Sequence, residues 1–138
     1  LKNAREAIVV MTDLVERYGY ASSGESFSIS DPDEVWILEM IGKGEGEKGA
    51  VWVARMVPDG YVCAHANQAR ITTFPWKENF HFIRPDEKIY DKEITTVYAK
   101  DVISFAKQKR PLSPGREKCR FQFFRYLCSG RFQWCPCL

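Results

Sequence analysis

Ligand-forming residues are scarce in the main body of this chain. Residues 1–109 hold a single cysteine, Cys63, and the whole chain holds two histidines, His65 and His81, well apart. The other four cysteines, Cys119, Cys128, Cys135 and Cys137, follow the spacing C-x8-C-x6-C-x-C. That matches none of the common zinc-ligand pairs, so neither a metal nor another cofactor is expected. No apolar run reaches the roughly 18 residues a bilayer span requires, which argues against a membrane partner. The opening "LKNAREAIVVMTDLVERYG" alternates charge with apolar residues and lacks the apolar block of a signal peptide. "GKGEGEKG" (43 being its first Lys) has neither Walker spacing nor a following helix, so it reads as a solvated hairpin loop, not a phosphate cradle. The chain also begins at Leu1 without a methionine, a first sign of a piece of something longer.

What is present is ordinary in bulk and lopsided in detail. With 45% hydrophobic and 28% charged residues over 138 positions, disorder is excluded and one domain is expected. The net charge of +2 hides a split. Residues 1–109 carry 14 Lys/Arg against 17 Asp/Glu, whereas residues 110–138 carry six against one. Four of the five cysteines fall in that basic tail.

Periodicity predicts an amphipathic helix over residues 3–18. Ala4, Ala7, Ile8, Met11, Leu14, Val15 and Tyr18 would face inward, with Arg5, Glu6, Asp13, Glu16 and Arg17 outward. Gly19 is the natural stop. Beyond "SSGES", Phe27 and Ile29 alternate with serines until "DPDE" breaks the run. "VWILEMI" and "AVWVARMV" are rich in β-branched and aromatic residues. With "PDG" as the next turn, the simplest topology is an antiparallel meander near 35–41, 50–57 and 61–66. The first two of these strands are apolar at nearly every position, so both sheet faces should be covered. A second helix at "AKDVISFAKQK", with Asp101 as N-cap and Val102, Phe105 and Ala106 inward, gives only part of that cover. The intervening "KENFHFIRPDEKIYDKEITTVY" is expected to be irregular, with one short strand at most.

The chemistry-bearing stretch is "YVCAHANQARITTFP", which sets His65, Asn67, Gln68 and Arg70 within six residues. A Cys63–His65 nucleophilic pair has poor geometry if both lie on one strand, so Cys63 is expected to be buried and structural. An amide at a strand end, Asn67 or Gln68, can stabilise the oxyanion of acyl transfer. The alternative, which composition alone favours, is that Asn67, Gln68 and Arg70 tie the strand to a neighbouring loop.

The ordered pieces "GESFSI", "EVWILE", "VWVARMVPDGY" and "HANQARI", followed by "YAKDVISFAK", resemble the interior of the C69 family of dipeptidases. These are cysteine peptidases of the N-terminal-nucleophile hydrolase superfamily, and the resemblance spans residues 2–109. It implies an α+β fold, part of an αββα sandwich with an antiparallel β-meander flanked by helices. It also implies dipeptide substrates and an N-terminal cysteine as nucleophile, its own α-amino group acting as base. Asn67 is carried over as an oxyanion-hole donor, with His65, Gln68 and Arg70 as substrate contacts. The departure is that no cysteine stands at the start of these 138 residues, so the chain as given is expected to be inactive. Another N-terminal-nucleophile amidase, acting on a non-peptide amide, is the nearest alternative.

The resemblance stops after Lys109. At face value the basic, aromatic residues 110–138 suggest a small nucleic-acid-binding module or a disulfide knot. Codons can also be chosen so that the neighbouring frame continues the family pattern without stops or cysteines. Residues 110–138 are therefore expected to be a frameshifted, non-native tail, with no nucleic-acid partner. The oligomeric state is not legible.

Overall fold

Helix α1, Ala4–Tyr18, starts where Asn3 turns its side chain back to accept from the Glu6 N–H at 2.8 Å. Such a cap contributes about 1 kcal/mol. The helix ends where Gly19, at φ 96°, donates its N–H to Val15 O. The computed structural model describes residues 1–65, 69–72, 74–75, 81–82, 87–109 and 120–121. Within them lie strands β1 (Gly24–Ser30), β2 (Val35–Gly42), β3 (Ala50–Met56), β4 (Phe74–Pro75), β5 (His81–Phe82), β6 (Thr96–Ala99) and β7 (Arg120–Phe121), and helix α2 (Val102–Lys109). A single 3₁₀ turn spans Glu87–Tyr90. The fold is α+β. No helix among the described residues is long and apolar enough to cross a membrane.

The sheet order is β1-β2-β3-β6-β5, antiparallel except for the short parallel pairing of β5 with β6. The glycine-rich loop is the β2–β3 hairpin, closed by Lys43 N–H to Gly49 O and relaxed by positive φ at Gly44, Gly46 and Gly49. Paired residues share a face, so the register sorts the side chains. Phe27, Ile29, Trp36, Leu38, Met40, Trp52 and Ala54 lie on one face. Ser26, Ser28, Ile37, Glu39, Val51, Val53, Arg55 and Tyr98 lie on the other. β2 is buried from Trp36 to Ile41 and β3 from Ala50 to Ala54, as expected of a sheet covered on both sides.

The meander, however, is β1-β2-β3, and residues 61–65 form no strand. The Pro58–Gly60 turn does form, with Tyr61 N–H on Pro58 O at 3.1 Å. The open edge of β3 is instead taken by β6, Val53 opposite Tyr98 and Arg55 opposite Thr96. Tyr61, Val62 and Cys63 consequently stand exposed, and the expected burial of Cys63 is wrong.

The face of α1 is also rotated from the expected one. Its buried residues are Ala4, Arg5, Ile8, Val9 and Thr12, while Leu14 and Tyr18 are exposed. Arg5, expected in solvent, is 4% exposed because three groups receive its guanidinium: the Glu34 carboxylate and the carbonyls of Ile89 and Asp91. Helix α2 packs against β3 through Val102, Phe105 and Ala106, as expected, and Asp101 at its start pairs with Lys43 of the hairpin.

Candidate functional site

The polar stretch that stood out in the sequence lies against the sheet face opposite α1. Three contacts hold it there. His65, half-buried, meets Ser28 Oγ of β1 through its Nε2 at 2.8 Å. The backbone N–H groups of Arg70 and Ile71 donate to the Glu39 carboxylate of β2, Ile71 at 3.1 and 3.2 Å. Further along, the Phe74 ring packs on Tyr98 of β6 with centroids 4.9 Å apart. Ser28, Glu39 and Tyr98 share that face by register, so each contact lands where the pleat of the sheet directs it.

Arg70 also closes the segment on itself, its Nε donating to Ala64 O at 2.7 Å. The structure therefore brings His65 and Arg70 to one side of the sheet, tied through Ser28 and Glu39. Asn67 and Gln68 lie outside the described residues. Cys63 does not join the group: it is exposed, and the His65 Nε2 is engaged by Ser28.

Glu39 is fully buried. Burial pushes its carboxyl above the ordinary range, while the Arg70 and Ile71 N–H groups and the charge of Arg70 pull the other way. Among the described strand residues it is the one carboxylate on this face. Sequence reading passed over both Glu39 and Ser28. The signal was there for Glu39: a lone acid in the apolar run "VWILEMI" must find hydrogen-bond donors if it is buried. Ser28 carried none, because a serine alternating with Phe27 and Ile29 looks like an ordinary solvent-facing position.

On the other face, Arg5, Glu34, Asp31 and Trp36 form a second polar group. Asp31 accepts from the N–H groups of Ala4, Asp33 and Glu34, at 2.7 to 2.8 Å. This knits the "DPDE" loop to the start of α1, and every contact in it is internal to the fold. Among the described residues no three His, Cys, Asp or Glu side chains are grouped so as to hold a metal ion.

Comparison with known proteins places these residues in context. The model of Peptidase family C69 matches residues 1–128. A "Probable dipeptidase" of Latilactobacillus sakei is 34% identical over 94 residues, 68% of this chain and 17% of that protein. "Probable dipeptidase A" of Streptococcus pyogenes serotype M1 is 32% identical over 95 residues, 68% of this chain and 17% of the relative. "Dipeptidase A" of Lactobacillus helveticus is 35% identical over 83 residues, 59% of this chain and 16% of the relative. The matched part of the chain thus accounts for about a sixth of the length of these curated relatives. No solved structure matches.

Proposed function

The chain belongs to peptidase family C69, and on that premise we propose that it is a segment of a cysteine-type dipeptidase working through an acyl-enzyme. What carries the reading is the family match over residues 1–128, together with aligned relatives that are named dipeptidases. On this reading the sheet is one layer of an αββα sandwich, and the face carrying Ser28, Glu39, His65 and Arg70 borders the cleft.

In the reaction, a thiolate adds to the dipeptide carbonyl and the tetrahedral oxyanion collapses. The amine leaves with the proton that the base took from the thiol. Water then attacks the thioester, giving up a proton to the same base and releasing the acid. The base is the nucleophile's own α-amino group, which an N-terminal residue alone can offer. Cys63 cannot fill that role, since its α-nitrogen is bound in a peptide. The nucleophile is therefore supplied from outside these 138 residues, and the chain alone is inactive. Asn67 donates to the oxyanion, while His65, Gln68 and Arg70 contact the substrate. A guanidinium such as that of Arg70 suits a dipeptide's terminal carboxylate, which it can meet with two parallel N–H bonds.

The test compares the 138-residue chain with a longer gene product bearing an N-terminal cysteine, both assayed on a dipeptide panel by amine release. We expect no turnover from the former and iodoacetamide-sensitive turnover from the latter. Asn67→Ala should lower kcat of the longer form about 100-fold or more. Thiol-dependent turnover by the short chain would overturn the division of labour, and inactivity of the longer form on every dipeptide would overturn the dipeptidase reading. The frameshift reading of residues 110–138 belongs to the same proposal. Codons that cannot yield the second frame would dismiss it.

A further inference from the structure

A carboxylate in the middle of an apolar sheet needs a reason. Glu39 lies on β2, between Ser26 of β1 and Val53 of β3, with no solvent exposure. Placing an ionised carboxylate there is costly unless hydrogen bonds offset it. An apolar residue would fill the same volume without that cost. What an apolar residue lacks is direction: a carboxylate offers lone pairs to two donors at once, fixing both in place. Here the two donors are the consecutive N–H groups of Arg70 and Ile71. Neither residue belongs to a helix or strand.

The guanidinium of Arg70 is coupled to the same anchorage. Its Nε donates to Ala64 O, and Ala64 immediately precedes His65, which Ser28 holds from the neighbouring strand. Moving the Arg70 backbone off Glu39 would draw the side chain away from Ala64. We propose that Glu39 is a positioning residue, fixing Arg70 and Ile71 against β2 and thereby setting where the Arg70 guanidinium lies. Its functional weight rests on the proposed assignment of Arg70 as a substrate contact.

The experiment is NMR on the 138-residue chain, wild type and Glu39→Gln. The substitution keeps volume but leaves one acceptor oxygen and turns an N–H₂ toward an N–H donor. The Arg70 and Ile71 amides, and with them the Arg70 Nε–H, should exchange with solvent at least about tenfold faster. The Val53 and Ala54 amides of the β3 ladder should keep their protection. An unchanged Arg70 Nε–H beside loosened amides would overturn the proposal, leaving Glu39 a partner for the backbone alone. Should the variant fail to fold, the wild type decides. Its Arg70 and Ile71 amides should exchange as slowly as those of the β2–β3 ladder, and open-loop rates would overturn the proposal. Neither readout involves dipeptide turnover, so failure here is distinct from failure of the dipeptidase reading.

Discussion

Arg5, in the first turn of α1, and Glu34, just before β2, form a fork-to-fork ion pair. The Nε and Nη2 of Arg5 each reach the carboxylate at 2.7 Å. The Nη1 donates to the carbonyls of Ile89 and Asp91, and the guanidinium lies 5.0 Å from the centroid of the Trp36 ring. One side chain thus ties together the helix, the sheet and the segment leading to β6. That arrangement also orients the sheet, because α1 fixed on the Trp36 face leaves the Glu39 face to the polar segment.

Removing one member of this pair should be costly. Arg5→Ala is expected to lower unfolding free energy by about 3–5 kcal/mol, since it strips Glu34 of its cationic partner, leaving it only the Trp36 indole N–H, and takes a buried donor from the Ile89 carbonyl. Arg5→Lys should recover only part of the loss, because an ammonium cannot meet the carboxylate as a fork. Urea denaturation measures both. A loss from Arg5→Ala below about 1 kcal/mol would put the pair in the class of exposed ion pairs.

The two glutamates of β2 and its approach should titrate with opposite consequences. Hydrogen bonding from Arg5 holds the Glu34 carboxyl below its ordinary 4.5, although burial opposes it. Its contribution is present above that value and is lost as pH falls through the lower, folded one. Glu39 is raised above 4.5 by burial, so its contribution is present on the acid side and is lost as pH rises through the folded value. Denaturation midpoints followed from about pH 3 to 7 should show both trends. Glu39→Gln should remove the loss on the rising side, and Arg5→Ala should reduce the loss on the falling side. An unchanged profile in either variant would contradict the corresponding linkage.

Local signals were legible in the sequence and long-range ones were not. The extent of α1, the Gly19 stop, the glycine hairpin and the burial of β2 on both faces each depend on neighbours within a few residues or on plain apolar density. The third meander strand failed because the edge of β3 was open to two candidates, and the winner, Thr96–Ala99, lies about forty residues further on. Arg5 looked solvent-facing because its partners sit 29, 84 and 86 positions away. The polar residues of the candidate site were visible as a cluster, whereas Glu39 and Ser28, which hold two of them, lie 31 and 37 positions from their partners.

Gly42 is required by space. A Cβ built there would sit 2.5 Å from Ser22 O, a backbone atom that cannot move aside cheaply, and the Gly42 N–H is bonded to Ser23 O. Gly42→Ala should therefore cost about 1–3 kcal/mol by splaying the β1–β2 end of the sheet. Gly44 is the control. It has open space around it but a φ of 93°, so Gly44→Ala should cost about 1–2 kcal/mol from backbone strain alone. Replacement by asparagine, which tolerates that region, should relieve Gly44 and not Gly42. Equal rescue at both sites would show that the Ser22 contact is not what constrains Gly42.

Cys63 gives the sharpest separation of reactivity from catalysis. It is exposed, so a thiol reagent should label it in the folded chain, with mass spectrometry of the 61–70 region locating the adduct. Yet its α-nitrogen is acylated by Val62, which denies it the internal base that the proposed mechanism needs. Cys63→Ser should therefore leave dipeptide hydrolysis by the longer, N-terminal-cysteine form within about twofold of wild type. Loss of turnover on that substitution, with the fold intact, would move the nucleophile into mid-chain. His65 would then be the candidate base on the same segment, through Nδ1 with Nε2 still held by Ser28, and the Ser28–His65 hydrogen bond would orient that base.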